Sequence, residues 1–297
     1  MKILMLCEIN LGGKDAQTVH VIEVMKNLKK EGHNVMLFAP DIARYNQYIP
    51  EIKYIPTLDV PVLRSIIFNF FLCIYTSIYS LKFKPDVAYV RYGDKTSLIT
   101  SKILRVPCIV EINGIPFDEM NMIKKQNNIR DNINLYITRF IWWLSCNFSD
   151  KIVAVTEGLK KELYEKYKVP SNKIIVIPNG ANTDLFKPMD KEKVKEELNL
   201  DRSIHYVCFV GNLAPWQGVE FLIQSAPLIL KEIPNTKFLI IGDGPMKKEL
   251  AELAKKWVAS DKFIFTGAVP YEEVPKYINV SDVCVAPFIK ERNLRIG

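Results

Sequence analysis

The sequence is poor in the residues and motifs that would take it out of the ordinary globular class. Three histidines, His20, His33 and His205, are scattered over 297 residues, and the six cysteines (Cys7, Cys73, Cys108, Cys146, Cys208 and Cys284) include no C-x-x-C pair. Neither a zinc cluster nor a disulfide framework can be assembled from that spacing. Most of these cysteines sit in apolar runs, where the residue acts as a small core side chain, and the pattern suits a reducing, cytoplasmic compartment. The opening MKILMLCE is too short and too soon acidic for a secretory signal. The longest apolar run, Val62 to Leu81, is broken by Arg64, Asn69 and several hydroxyls. It predicts a buried or membrane-surface helix, not a spanning one. There is no G-x-G-x-x-G and no Walker loop, so nicotinamide and ATP lose their usual support.

What is present is an alternation. Hydrophobic residues make up 48% of the chain and charged ones 25%, which excludes a disordered or fibrous protein. Forty Lys+Arg against 33 Asp+Glu leave a net charge of +7, which admits phosphates, anionic lipid or nucleic acid without selecting among them. Short runs rich in Ile, Val and Leu are separated by stretches with helical spacing: KILML, a helix over 16–30 closed by Gly32, NVMLFA, DVAYV (86–90), a helix near 95–105, PCIVEI (107–112), a long helical region ending near Phe148, KIVAV (151–155), a helix near 157–168 and KIIVI (173–177). Continuous apolar strands joined by crossover helices imply a parallel sheet covered on both faces.

Pro178-Asn179-Gly180 interrupts the pattern, and a polar stretch follows Phe186-Lys187-Pro188. The alternation then restarts with HYVCFV (205–210), KFLIIG (237–242), KFIFTG (262–267) and DVCVAP (282–287), with helices at 218–232, 246–258 and 271–279. This predicts an α/β protein of two Rossmann-like domains. The second has roughly four strands where about six are common, so an incomplete second domain is expected.

Three strand-to-helix turns carry glycine: Gly12-Gly13 after the first strand, Gly211 to Gly218 after CFV, and Gly242-Asp243-Gly244-Pro245. Glycines let backbone amides approach a phosphate, and a helix N-terminus adds favourable partial charge. A tight turn explains each one alone equally well. Lying at equivalent strand ends of two domains, they suggest a ligand held between the domains, because open parallel sheets bind at the carboxyl ends of their strands.

These segments resemble family 4 (group 1) glycosyltransferases of the GT-B fold, over essentially the whole chain. The carriers are Gly12-Gly13 before a helix ending in Gly32-His33-Asn34-Val35, KPDVAYVR (84–91), SDKIVAVTEGLKKEL (149–163), KIIVIPNGANTDLFKP (173–188), FVGNLAPWQGVEFLI (209–223), FLIIGDGP (238–245) and FTGAVPYEEVPKYINVSDVCVAPF (265–288). The resemblance implies residues 1–178 as an acceptor-side domain and 179–297 as a nucleotide-sugar-side domain. It implies transfer of a sugar from a nucleotide-sugar donor to a glycan or lipid-linked acceptor, with retention, and without a metal or other cofactor. No D-x-D occurs to hold a metal-bound diphosphate. The implied donor-binding residues are Gly12, Gly13, Gly211, Asn212, Gln217, Gly218, Gly242, Val269 and Arg292. Arg91 and Tyr92 are implied acceptor contacts.

The chain departs from the family pattern in three places. Asn212 and Gln217 stand where an arginine and a lysine are common, and neutral donors hold phosphate more weakly than cations. Arg292 and Arg295 are candidate substitutes. Glu111-Ile112-Asn113-Gly114 replaces a segment that often holds a histidine. Asn113 then acts as a hydrogen-bonding group, and Glu111 is either a catalytic carboxylate or a satisfied strand-end one. The family's E-x7-E motif is not among these residues, so a C-terminally truncated and inactive chain is expected. Two aromatic helices, 62–81 and 133–148, raise the possibility of peripheral contact with the inner face of a membrane, with Lys124, Lys125 and Arg130 nearby; alternatively Trp142 and Trp143 pack in the core. Nucleic acid is not an expected partner. Two other readings remain open at this point: a non-catalytic or split-chain partner module, and a sugar-nucleotide epimerase of the same fold.

Overall fold

Two parallel sheets organise the protein. The computed structural model describes residues 1–13, 15–45, 47–57, 61–91, 104–115, 129–258 and 260–289. The chain divides into two units, one over Met1–Asn179 and the other starting at Gly180. The first unit holds β1 (Lys2–Leu6), β2 (Asn34–Pro40), β3 (Ile52–Ile55), β4 (Val87–Arg91), β5 (Cys108–Ile112), β6 (Lys151–Ala154) and β7 (Ile174–Val176). They form one sheet in the order β3-β2-β1-β4-β5-β6-β7, and every pairing is parallel.

Strand alternation assigns side chains to the two faces. Ile3, Met5 and Cys7 face helix α1 (Ala16–Lys30) and pack on Val21, Ile22 and Met25. Leu4, Leu6, Val110 and Ile112 point the other way, into a larger core closed by α2 (Pro61–Phe83), α3 (Ile129–Phe148) and α4 (Glu157–Glu165) through Phe68, Leu72, Trp142, Cys146, Leu159 and Leu163. Each such side chain, fully buried, contributes about 1.5–3 kcal/mol. Caps set the helix limits. Asp15 accepts from the Thr18 amide at 2.8 Å, Thr156 accepts from the Leu159 amide at 3.0 Å, and Gly32 stops α1 in the left-handed region at φ +82°.

The second unit holds β8 (His205–Val210), β9 (Thr236–Ile241), β10 (Phe263–Gly267) and β11 (Val283–Cys284), in the parallel order β10-β9-β8-β11. Helices α6 (Val219–Glu232) and α7 (Lys247–Trp257) cover one face, around Phe209, Ile223, Phe238 and Leu250. Helices α5 (Lys191–Glu197) and α8 (Val274–Val280) cover the other, around Val194, Tyr206 and Val280. Strands 173–177 and 205–210, assigned from sequence to separate sheets, do lie in separate sheets.

Several elements differ locally from the sequence pattern. β3 has no counterpart in it: Ile52-Lys53-Tyr54-Ile55 is a four-residue edge strand ended by Pro56, too short to stand out from its surroundings. β11 is two residues long, much shorter than DVCVAP suggests. The helix expected near 95–105 falls largely outside the described residues. Of the two tryptophans weighed for the core, Trp142 is buried and Trp143 is half exposed. Among the described residues no helix is long and apolar enough to cross a membrane.

Candidate active site

The strand order of the first sheet reverses at β1, whose neighbours are β2 and β4. Such a switch point leaves a crevice beyond the carboxyl ends of the strands. A group of polar side chains at this end of the sheet comes from β4 and β5. Arg91 and Glu111 are register partners on these adjacent strands. Tyr89 precedes Arg91 by two residues, so Tyr89, Arg91 and Glu111 project from the face that α1 covers, and Asn113, just past β5, donates to Glu111. His20, one turn into α1, completes the group.

Glu111 is the centre of this cluster and is 2% exposed. Its carboxylate accepts from the Tyr89 hydroxyl and from the Asn113 side-chain amide. His20 Nε2 lies 2.7 Å from Oε1, and Arg91 Nη1 lies 3.8 Å from the same oxygen. Burial pushes the Glu111 carboxyl up, but the neighbouring His20 and the hydrogen bonds from Tyr89 and Asn113 outweigh it and hold the group down at about 2. Burial also raises Tyr89, reinforced by the negative charge of Glu111, so the phenol stays protonated as a donor. Arg91 is lowered by its own burial and keeps its charge, since arginine does not deprotonate in proteins. Glu111 is thus an ionised, buried carboxylate with two protein hydrogen-bond donors and the His20 and Arg91 side chains close by. Of the two readings open from sequence, a catalytic carboxylate or a satisfied strand-end one, the geometry shows a buried carboxylate that Tyr89 and Asn113 already engage.

The Gly12-Gly13 turn is built to be tight. The Gly12 amide donates to Asn10 Oδ1 at 3.1 Å, and the Gly13 amide to the Asn10 carbonyl at 3.3 Å. A Cβ on Gly12 would lie 2.5 Å from the Ala43 methyl, and one on Gly13 2.7 Å from Asp15 Oδ2. The amides that the sequence offers to a phosphate are engaged inside the loop, and the Asp15 carboxylate caps α1. Asp15→Ala is therefore expected to cost about 1 kcal/mol in the urea unfolding of the first unit, the usual value of such a cap.

In the second sheet the order reverses at β8, between β9 and β11, and the other two glycine turns leave the ends of β8 and β9. Gly218 begins α6 at φ +68°, and a Cβ there would sit 1.9 Å from the Pro287 carbonyl oxygen. Gly242 has φ +135°, and its Cβ would sit 1.9 Å from the Gly211 carbonyl oxygen. At Gly244 an added Cβ would meet Asn212 Oδ1 at 2.4 Å and the Leu213 amide nitrogen at 2.6 Å. The Gly242 and Gly244 contacts, with Gly211 N–H donating to the Ile241 carbonyl and Leu213 N–H to that of Asp243, clasp the turns after β8 and β9 backbone to backbone, while Gly218 packs on the segment after β11. Asn212 is exposed at this surface, Gln217 is half-buried in the short 3-10 turn Pro215–Gln217, and Val269 packs on the α5–α8 side of the core. Asp243 is held below its ordinary value by its bond from Lys247 and by the Gly244 amide.

The structure brings together Arg91, Glu111 and Asn113 in the first unit, and Gly211, Asn212, Gln217, Gly218 and Gly242 in the second. Tyr92 and Arg292 lie outside the described residues, as do Lys124, Lys125 and Arg295. Sequence reasoning missed His20, Tyr89 and Asn179. The last donates from Nδ2 to Asn113 Oδ1 at 3.2 Å. A signal for Tyr89 existed in the paired A-Y-V-R and V-E-I-N patterns, which put polar residues two apart at the ends of buried strands. Among the described residues no three His, Cys, Asp or Glu side chains converge in a metal-binding arrangement.

Two parallel α/β units with glycine-clasped turns at their strand ends describe a class of nucleotide-handling folds. The comparisons narrow it. Residues 17–185 match the model of Glycosyltransferase Family 4, and residues 190–292 match that of the Glycosyl transferases group 1. The chain belongs to this family of glycosyltransferases. An uncharacterized glycosyltransferase of Methanocaldococcus jannaschii is 24% identical over 93% of this chain and 71% of its own length. The sucrose-phosphate synthase of Thermosynechococcus elongatus superposes with a TM-score of 0.72 at 17% identity, over 97% of this chain and 75% of that one. Anabaena HepE, solved in complex with UDP, superposes at 0.66 and 16% identity, over 97% and 74%. Both structures share the GT-B fold.

Proposed function

We propose that the protein transfers a sugar from a nucleotide-sugar donor to a glycan or lipid-linked acceptor, with the donor held by the second unit and the acceptor by the first. The observation that carries this reading is the clasp of the turns after β8 and β9 through Gly242 and Gly244, with Gly218 set against the Pro287 backbone after β11. Glycine is needed there because backbone meets backbone, and the exposed Asn212 is left as a hydrogen-bonding group at the rim. The structural neighbour HepE binds UDP, which supports a uridine nucleotide as the first donor to try. The chemistry requires stabilising a departing diphosphate with amides and cations. Asn212 and Gln217 supply neutral donors only.

A lipid-linked acceptor is favoured over a free glycan by the surface of the first unit. Residues 1–179 contain 24 Lys+Arg and 17 Asp+Glu, while residues 180–297 contain 16 of each, so the whole net charge of +7 belongs to the first unit. On the sheet face covered by α2 and α3, Phe70, Ile78, Tyr136, Phe140 and Trp143 are exposed. Between them these helices hold one acidic residue, Asp131, and four basic ones. Exposed apolar and aromatic side chains with exposed Lys82 and Arg139 on the same helices fit an anionic membrane surface.

Thermal shift with UDP-, GDP- and ADP-sugars is expected to give stabilisation by one nucleotide class, followed by sugar transfer with that donor. No stabilisation by any of them counts against the reading. Flotation with phosphatidylglycerol vesicles, weakened by 0.5 M salt and absent with phosphatidylcholine, is the expected result for the membrane contact. Equal flotation with both lipids would remove the electrostatic part.

A further inference from the structure

We infer that Glu111 is a positioning residue that fixes the direction of a hydrogen-bond chain, Tyr89–Glu111–Asn113–Asn179, so that Asn113 presents its carbonyl oxygen to a hydroxyl-bearing ligand beyond β5. The inference rests on the sugar-transfer reading for the nature of that ligand, but not for the existence of the chain.

The direction follows from valence. An ionised carboxylate only accepts, whereas an asparagine side chain can turn either its oxygen or its nitrogen toward a neighbour. Glu111 is 2% exposed, accepts from the Tyr89 hydroxyl, and has His20 Nε2 at 2.7 Å and the Arg91 guanidinium at 3.8 Å. Asn113 must therefore turn Nδ2 inward to Glu111. That leaves its Oδ1 facing outward, where Asn179 Nδ2 donates to it at 3.2 Å. A carbonyl oxygen has two lone pairs, so Asn113 keeps one acceptor position for a hydroxyl. Asn179, exposed in the Pro178-Asn179-Gly180 segment, keeps a second N–H and its own oxygen. The pair is suited to the donor–acceptor pattern of a polyhydroxylated sugar, and its polarity is set from inside the protein by a group that never meets the sugar.

Glu111→Gln tests this, because glutamine can both donate and accept and so releases Asn113 to flip. The full 1–297 chain is labelled with 15N-asparagine, and the side-chain amide signals of Asn113 and Asn179 are assigned by Asn113→Ala and Asn179→Ala. In Glu111→Gln the Asn179 signals are expected to move, although Asn179 does not touch residue 111. In the Asn113→Ala background the same substitution should move them no further. Unmoved Asn179 signals in folded Glu111→Gln overturn the inference. If Glu111→Gln does not fold, the chain is read from the other end. Asn179→Ala must shift the Asn113 amide and Asn113→Ala that of Asn179, and failure of both overturns it.

The kinetic arm uses UDP-glucose, GDP-mannose and ADP-glucose. With whichever turns over, Glu111→Gln should raise KM about tenfold with kcat changed less than threefold, and the double variant with Asn113→Ala should be no worse than Asn113→Ala alone. A hundredfold fall in kcat at constant KM would make Glu111 a reacting group and overturn the positioning role. Absence of turnover with all three donors would count against the sugar-transfer reading alone, and the amide signals would still decide the chain.

Discussion

Gly242→Ala is expected to remove about 4 kcal/mol or more from the second unit, enough to unfold it in an ordinary buffer or in low urea. Two effects combine. The backbone at φ +135° lies in a region that L side chains rarely enter, costing about 1–3 kcal/mol. The new Cβ would also sit 1.9 Å from the Gly211 carbonyl oxygen, and that atom belongs to a main chain held by the Gly211 N–H bond to Ile241. Neither neighbour is a flexible side-chain tip that can swing aside. Gly32→Ala is the control: φ is +82°, nothing lies within 4 Å, and only the backbone cost of about 1–2 kcal/mol applies. Urea titrations followed by tryptophan emission separate the units, because Trp216 and Trp257 report on the second and Trp142 and Trp143 on the first. If Gly242→Ala unfolds the second unit no more easily than wild type, the clasp between the two turns is looser than described.

Removing Glu111 is expected to have a comparable effect on the first unit. Glu111→Ala leaves the buried Arg91 without its counter-charge and Tyr89 without its acceptor, and removes the carboxylate beside His20. Stranding a buried charge in this way costs about 3–5 kcal/mol. The pH dependence has a definite sign. The carboxyl sits at about 2 in the folded protein against an ordinary 4.5, so its contribution is complete above pH 4.5 and disappears as the pH falls towards 2. At full extent that depression is worth about 3 kcal/mol. The stability difference between wild type and Glu111→Gln should therefore be constant from pH 7 to 5 and shrink below 4.5. A difference that grows on acidification would mean the carboxyl is raised, not lowered, by its surroundings.

Much of the architecture is legible in the sequence because parallel strands buried on both faces cannot tolerate polar residues. KILML, NVMLFA and KFLIIG announce themselves, and the break at Pro178-Asn179-Gly180 coincides with the boundary between units at Asn179 and Gly180. β3 escapes because an edge strand of four residues, with Lys53 and Tyr54 half-exposed, has no continuous apolar run. The site is less legible. Glycines appear in the sequence as possible phosphate turns, but whether their amides are open depends on contacts made far along the chain or by loop neighbours such as Asn10 and Asp15. The role of Glu111 depends on His20, 91 positions earlier, and on Tyr89 in the neighbouring strand. No local pattern connects those three, and only the register of β4 against β5 together with the placement of α1 brings them into contact.

The place of β1 has a consequence for how the protein is made. It precedes every other strand of its sheet in the chain, yet it lies in the interior, paired with residues 34–38 on one side and 87–90 on the other. During translation Lys2–Leu6 can join β2 as soon as that strand emerges, but its second edge stays open until β4, which starts at Val87, leaves the ribosome. That edge carries unpaired backbone donors and acceptors flanked by some of the most apolar side chains in the chain, the conditions under which a nascent strand pairs with a neighbour on the same polysome. Slow codons or a pause between residues 40 and 87 would lengthen that exposure, whereas the same pause placed after β4 would fall on a strand whose two edges are already closed.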